Sequence, residues 1–193
     1  MSGFPGPSSR VVLGARDGGS RTVIASAADK IAVMAEAIAI RKATDADLPA
    51  LGRLGALLLR THHQFDSQRF MAPQGDTEGG YAWFLGTQLR EADVVVLVAE
   101  RQASVVGYVY AGLEPQSWKE LREASGFIHD VVVDERARRT GVAIALIDAA
   151  AEWLREHGAP RVMLWTAQHN DGAQRLFERL GFRRTMVEMT REL

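Results

Sequence analysis

The chain has 193 residues and no cysteine. That absence removes disulfides, cysteine-based zinc sites and cysteine nucleophiles together. Lysine is scarce as well, with 3 residues against 20 arginines, a bias that suggests a GC-rich bacterial genome rather than a mechanism. No uninterrupted apolar run exceeds that of Val94–Ala99, far short of the roughly 20 residues a helix needs to cross a bilayer. Nothing near the N-terminus reads as a secretory signal. The formal net charge of -1 argues against general nucleic-acid binding. No phosphate loop of the Gly-x-x-x-x-Gly-Lys type, no Gly-x-Gly-x-x-Gly turn and no Gly-x-Ser-x-Gly elbow is present, which disfavours other nucleotide-binding and hydrolase classes. His62 and His63 are neighbours without a carboxylate at ligand spacing, so no metal is expected. The expectation is a soluble cytoplasmic protein with neither nucleic acid nor membrane as partner.

With 47% hydrophobic residues, the chain suits one domain with an adequate core. Residues 1–9 are dominated by Gly, Pro and Ser, and the stretch up to Val33 mixes Arg, Gly and Ser among short apolar pieces. Residues 1–33 are expected to be a flexible extension, with Met34 as a candidate start and residues 34–193 as the single domain.

The most informative stretch runs from Val131 to Ala143. An apolar β-type segment, Val131-Val132-Val133, passes through a basic loop containing Arg136, Arg138 and Arg139 into an amphipathic helix. A strand, a tight loop and a helix N-terminus hold a pyrophosphate well, because unpaired N–H groups and the helix dipole both favour anions there. Gly141 and Ala143 keep bulk away from an incoming phosphate. The spacing Arg138-x-x-Gly141-x-Ala143 resembles the acetyl-CoA pyrophosphate loop of the GNAT superfamily of N-acetyltransferases. Further on, Asn170, Ala173, Leu176, Gly181 and Phe182 match that family's Asn-x-x-Ala-x-x-Leu-Tyr-x-x-x-Gly-Phe helix, with Phe177 in place of the tyrosine. The resemblance extends from about Ile38 to the C-terminus.

Periodicity predicts a strand at Ile38–Arg41 and a helix capped near Thr44 that carries Leu48, Leu51, Leu54 and Leu58. A helix follows around Tyr81–Arg90. Val94–Ala99 and Val105–Leu113 read as a hairpin, Phe127–Val133 as a strand and Gly141–Glu156 as a helix. Arg161–Thr166 is the next strand, Asp171–Leu180 a helix, and Phe182–Thr190 closes the chain as one or more strands. The strand–helix–strand unit Phe127–Thr166 implies a parallel crossover. The resemblance implies an α/β GNAT fold: a mostly antiparallel twisted sheet of six to seven strands with a splayed parallel pair and helices on both faces.

Acetyl-CoA as cosubstrate follows from the same resemblance. It implies main-chain bonds from Val131, Val132 and Val133 to the pantetheine arm, one N–H polarising the acetyl carbonyl. Arg138, Arg139, Thr140, Gly141, Val142, Ala143 and Ile144 would surround the pyrophosphate, with Asn170 and Phe177 also on the cofactor. Transfer to an amine requires the neutral amine, so a general base is expected. Many family members have a glutamate at the corresponding strand position. Here it is His129, followed by Asp130, and imidazole accepts a proton at neutral pH. Phe177 cannot donate the proton the family tyrosine gives to the departing thiolate; Tyr108 and Tyr110 share a strand face and are substitutes to weigh. His62, His63, Trp83 and Trp118 are candidates for the acceptor pocket, and Asp76, Glu78, Glu114 and Glu120 for attracting a cationic amine. The expected reaction is direct acetyl transfer to a primary amine, on a small molecule or a peptide, and a homodimer is compatible with it. The alternative is a catalytically idle acyl-CoA-binding module.

Overall fold

The computed structural model describes residues 37–193; the expected extension at 1–33 lies outside them. Strand β1 (Ala39–Lys42) leads into a short 3-10 turn at Asp45–Asp47 and helix α1 (Leu48–Phe65). The turn is locked by Asp47, whose Oδ2 accepts from the backbone N–H of Thr44 at 2.8 Å and its hydroxyl at 3.1 Å. Pro49 follows in the first helical turn, where a missing N–H costs nothing. Helix α2 (Thr77–Gln88) packs back against α1. The close approach depends on Gly55: a Cβ there would overlap the Tyr81 ring. Gly55 therefore sets where Tyr81 points.

Strands β2 (Val94–Arg101) and β3 (Ser104–Glu114) form the expected hairpin. Gln102 and Ala103 at its tip have φ of 50° and 58°, the two left-handed residues of a type I′ turn, whose twist matches that of the strands. Strand β4 (Ser125–Val133), helix α3 (Val142–Glu156) and strand β5 (Val162–Leu164) give the parallel crossover, and helix α4 (Asp171–Arg179) follows. The sheet order is β1-β2-β3-β4-β5, antiparallel except for the last pair.

Helices cover both faces. On one side Leu51 and Leu54 of α1 and Leu85 of α2 pack on Val96, Val98, Tyr108 and Val132. On the other, Val142, Leu146, Ala150 and Leu154 of α3 and Phe177 of α4 pack on Val95, Leu97, Val109 and Ile128. The β2 run is buried from both sides, which is why it reads as unbroken valine and leucine rather than alternating. Among the described residues, no helix is long and apolar enough to cross a membrane.

Among the described residues the sheet has five strands, not six or seven. The segment expected to close it, Phe182–Thr190, forms no ladder, and Met186, Val187 and Met189 are 79%, 79% and 90% exposed. Strand-type composition stabilises a strand only where a partner and a half-buried face receive it. Here the outer neighbour, β5, is three residues long.

Asp47 also anchors Arg41 on β1 through two bonds of 2.8 and 2.9 Å. The Arg41 guanidinium holds the Asp47 carboxyl down at about 2, against an ordinary 3.8. The resulting stability is fully present above pH 3.8 and is lost as pH falls through about 2. Asp47→Asn is expected to cost about 1–3 kcal/mol at neutral pH, discounted toward the lower end because Arg41 is 40% exposed. Urea unfolding of both proteins checks this, and the difference should shrink in acid.

Candidate active site

Strand β4 parts from β5 after three residue pairs, the last being Ile128 with Leu164. From His129 onward the edge of β4 that faced β5 has no ladder, and its main-chain groups are open to a ligand. At the same point the β3–β4 register slips: Ala111 pairs with Ile128 and Tyr110 with Asp130, leaving His129 as the extra residue of a bulge. The bulge turns two consecutive side chains toward the face covered by α1 and α2. Asp130 bonds to Tyr81 and Tyr108 there, and His129 stacks on Tyr110 and Phe127. Simple alternation would have sent the two to opposite faces.

Asp130 is clamped by hydroxyls. Tyr81 of α2 donates to Oδ2 at 2.8 Å and Tyr108 of β3 to the same oxygen at 3.0 Å. Burial pushes the Asp130 carboxyl above its usual range, and the two hydroxyls pull it partly back. Burial, with the Asp130 charge next, pushes both tyrosines up, so they remain protonated donors.

His129 lies between the rings of Tyr110 and Phe127, with centroids at 4.6 and 5.0 Å. Its Nε2 is 3.5 Å from Glu114 Oε1. Glu114 is held in turn by Arg122 at 3.1 Å. Burial lowers the His129 pKa below 6.5, and the charges of Glu114 and Asp130 offset part of that. The imidazole is therefore neutral at pH 7 and able to take a proton.

Both residues line a cleft of about 1130 Å³ between the α1–α2 side and the open end of β4 and β5. Val131, Asn170 and Phe177 line the same cleft. Asn170 caps α4, its Oδ1 accepting from the Ala173 N–H at 3.2 Å. Phe177 is only 6% exposed, with its ring edge-on to Phe182. Val132 instead points into the core beneath α1, and Val133 is half-buried outside the cleft.

The basic loop does not line that cleft. Arg139 and Gly141 have φ of 63° and 88°, and a Cβ at Gly141 would meet open space. Gly141 opens α3 without a side-chain cap, so the first N–H groups of Val142, Ala143 and Ile144 face outward unfilled. The Thr140 hydroxyl is occupied, donating to the Ala137 carbonyl at 2.7 Å and accepting from Arg101 at 3.2 Å. Arg138 folds back on the Val133 carbonyl at 3.3 Å.

Of the acceptor candidates, His62 and Asp76 line the cleft, while Trp83 and Trp118 are 73% and 83% exposed away from it. The tryptophan in the cleft is Trp165, just past β5. Sequence reasoning missed Trp165 and the Tyr81–Asp130–Tyr108 clamp. Only the glycine pair Gly52 and Gly55 in α1 hinted that α2 comes close.

The acetyltransferase (GNAT) family model matches residues 58–182, well over half of the chain. The chain belongs to the GNAT acetyltransferase family. Among its GNAT relatives, the uncharacterized N-acetyltransferase MJ1207 of Methanocaldococcus jannaschii is 32% identical over 100 residues. That alignment covers 52% of this chain and 44% of the relative, so the chain spans less than half of its length. The uncharacterized N-acetyltransferase YhfO of Bacillus subtilis is 28% identical over 145 residues, covering 74% of this chain and 88% of YhfO. In fold, the aminoglycoside N-acetyltransferase AAC(6')-Iy in complex with CoA superposes with a TM-score of 0.65 at 18% identity. It covers 81% of this chain and 95% of that one. GNAT acetyltransferases use acetyl-CoA, and the uncapped α3 end and the open edge of β4 both fit its phosphates and amide-bearing arm.

Proposed function

We propose that the protein transfers the acetyl group of acetyl-CoA to a primary amine by direct attack, with His129 as base and Asp130 beside it. The observation that carries this reading is the bulge that brings a neutral imidazole and a fixed carboxylate to one face of a cleft at the sheet splay. The CoA complex of AAC(6')-Iy supports the cosubstrate. The pyrophosphate would lie on the N–H groups of Val142, Ala143 and Ile144, with Arg138, Arg139 and Thr140 beside it. The arm would pair with the open edge of β4 at Val131 and its neighbours, above Phe177 and Asn170.

Acetyl-CoA supplies an activated thioester. In the cleft an ammonium group loses a proton to His129, and the freed nitrogen lone pair attacks the acetyl carbon. As the N–C bond forms and the C–S bond breaks, the electrons leave on sulfur, and the second proton shed by the attacking nitrogen passes through water to the thiolate, giving the neutral acetamide and free CoA. A backbone N–H of the open β4 edge stabilises the charge that develops on the carbonyl oxygen. A thiol with a pKa near 8.5 is a tolerable leaving group without an acid, so phenylalanine at 177 is compatible with turnover. The test is acetyl-CoA-dependent thiol release across a panel of amines. Release that requires an amine supports the reading, and CoA binding without any release supports an idle acyl-CoA-binding module.

Phe177→Tyr probes the leaving-group side. Because the ring already borders the cleft, the added hydroxyl is expected to reach it and to change stability by less than about 1 kcal/mol. Turnover should be kept or raised. A loss of about 2–3 kcal/mol in thermal or urea unfolding would show the hydroxyl sealed in apolar surroundings.

A further inference from the structure

The acceptor side of the cleft has a charge inventory that narrows the substrate. Four carboxylates line the cleft: Asp66, Asp76, Asp130 and Glu188. Three of them are already engaged at its rim. Asp66 is exposed and accepts from the backbone N–H of Gln68 and Arg69 at 3.0 and 3.1 Å. Asp76 is exposed and caps α2 through the Gly79 N–H at 2.8 Å. Glu188 is paired with Arg69. Exposed charges of this kind are screened by water and select weakly.

Asp130 differs. It is withdrawn into the wall, its Oδ2 takes both tyrosine hydroxyls, and Oδ1 has no partner among the described residues. A charge in such a place interacts with an ammonium group more strongly than the exposed carboxylates do. Arg69 is the one Lys or Arg that lines the cleft among the described residues, and Glu188 holds it.

The α1–α2 side of the cleft carries apolar and aromatic side chains. Leu58, His62 and Phe65 come from α1, Phe70 from the loop after it, and Phe84 from α2. His62 and Phe70 meet edge to face at 4.9 Å, and Phe84 sits edge-on to Tyr81 at 6.0 Å. Phe84 remains 36% exposed, with free ring surface. A flat apolar body is the natural complement of such walls.

We infer that the acceptor is an arylalkylamine: one primary ammonium, held by Asp130 Oδ1, on an apolar ring-sized body lying against Phe70 and Phe84. A polycation would gain little from its further ammonium groups, because the remaining carboxylates, Asp66, Asp76 and Glu188, are exposed and already engaged. An α-amino acid would bring a carboxylate with no free cation to meet it. This inference rests on the acetyltransferase reading and sharpens it.

The test compares initial rates for 2-phenylethylamine, spermidine, an aminoglycoside and phenylalanine, all with acetyl-CoA. For 2-phenylethylamine, kcat/KM should exceed each of the others by about tenfold or more. Phe70→Ala should raise KM for 2-phenylethylamine while leaving that for ethylamine, which is too short to reach the ring, within about twofold. Preference for spermidine, the aminoglycoside or phenylalanine overturns the inference, as does a Phe70→Ala variant that treats both amines alike. If no amine is acetylated, the transferase reading fails separately. Calorimetry of the same four compounds against the CoA-loaded protein then decides: selective binding of 2-phenylethylamine upholds the assignment, and any other order overturns it.

Discussion

Gly141→Asp is expected to weaken CoA binding by about 100-fold or more in a protein that still folds. Gly141 opens α3 at φ 88°, and its hydrogen faces open space. Aspartate tolerates this left-handed geometry better than most residues, so the fold should survive. Its carboxylate would sit where the helix dipole and the unfilled N–H groups of Val142 and Ala143 favour a phosphate. Like charges brought together cost several kcal/mol, and each 1.4 kcal/mol is tenfold in affinity. Gly141→Asn is the control, with the same shape and no charge. Calorimetry should show a far smaller loss for asparagine than for aspartate. Equal losses would trace the effect to backbone strain, and unchanged binding in both would remove the loop from the cofactor site.

The second large effect concerns His129. His129→Ala should lower kcat/KM by about 10²-fold or more, the usual contribution of a positioned base. CoA affinity should remain near that of the parent, because the proposed phosphate site at the start of α3 lies outside the cleft that holds His129. In the parent, activity should rise with pH as the imidazole loses its proton. Burial lowers that pKa, so the rise should be centred below 6.5. The variant should lack that limb. A variant with the parent's rate and profile would reject His129 and leave Asp130, whose pKa is raised by burial, as the group to examine.

Some of this was legible in the sequence because the signals were local. The passage from Val131 through Gly141 into α3 is a strand, a loop and a helix start in consecutive residues. The cap at Asn170 is likewise written three residues from its N–H partner, Ala173. What escaped depended on distance. The bulge that places His129 beside Asp130 is a slip between two strands, and β4 alone carries no mark of it. The clamp joins Tyr81, Tyr108 and Asp130 from three elements, and it forms because Gly55 lets α2 approach. Trp83 and Trp118 were the pocket candidates while Trp165 is the tryptophan that lines it, since exposure and direction are set by packing. The closing strands failed for a related reason: Phe182–Thr190 has the composition of a strand, yet β5 offers it only three residues of edge.

Direct transfer is the central claim, and mass spectrometry of one reaction tests it most directly. The protein, acetyl-CoA and 2-phenylethylamine, or the best amine of the panel, would be mixed and quenched over time. Acetamide and free CoA should appear in equal amounts and at the same rate, while the intact protein mass stays unchanged throughout, since the chain has no cysteine to carry the acetyl group. Acetyl groups accumulating on the protein before acetamide appears would contradict the account, as would CoA release without any acetamide.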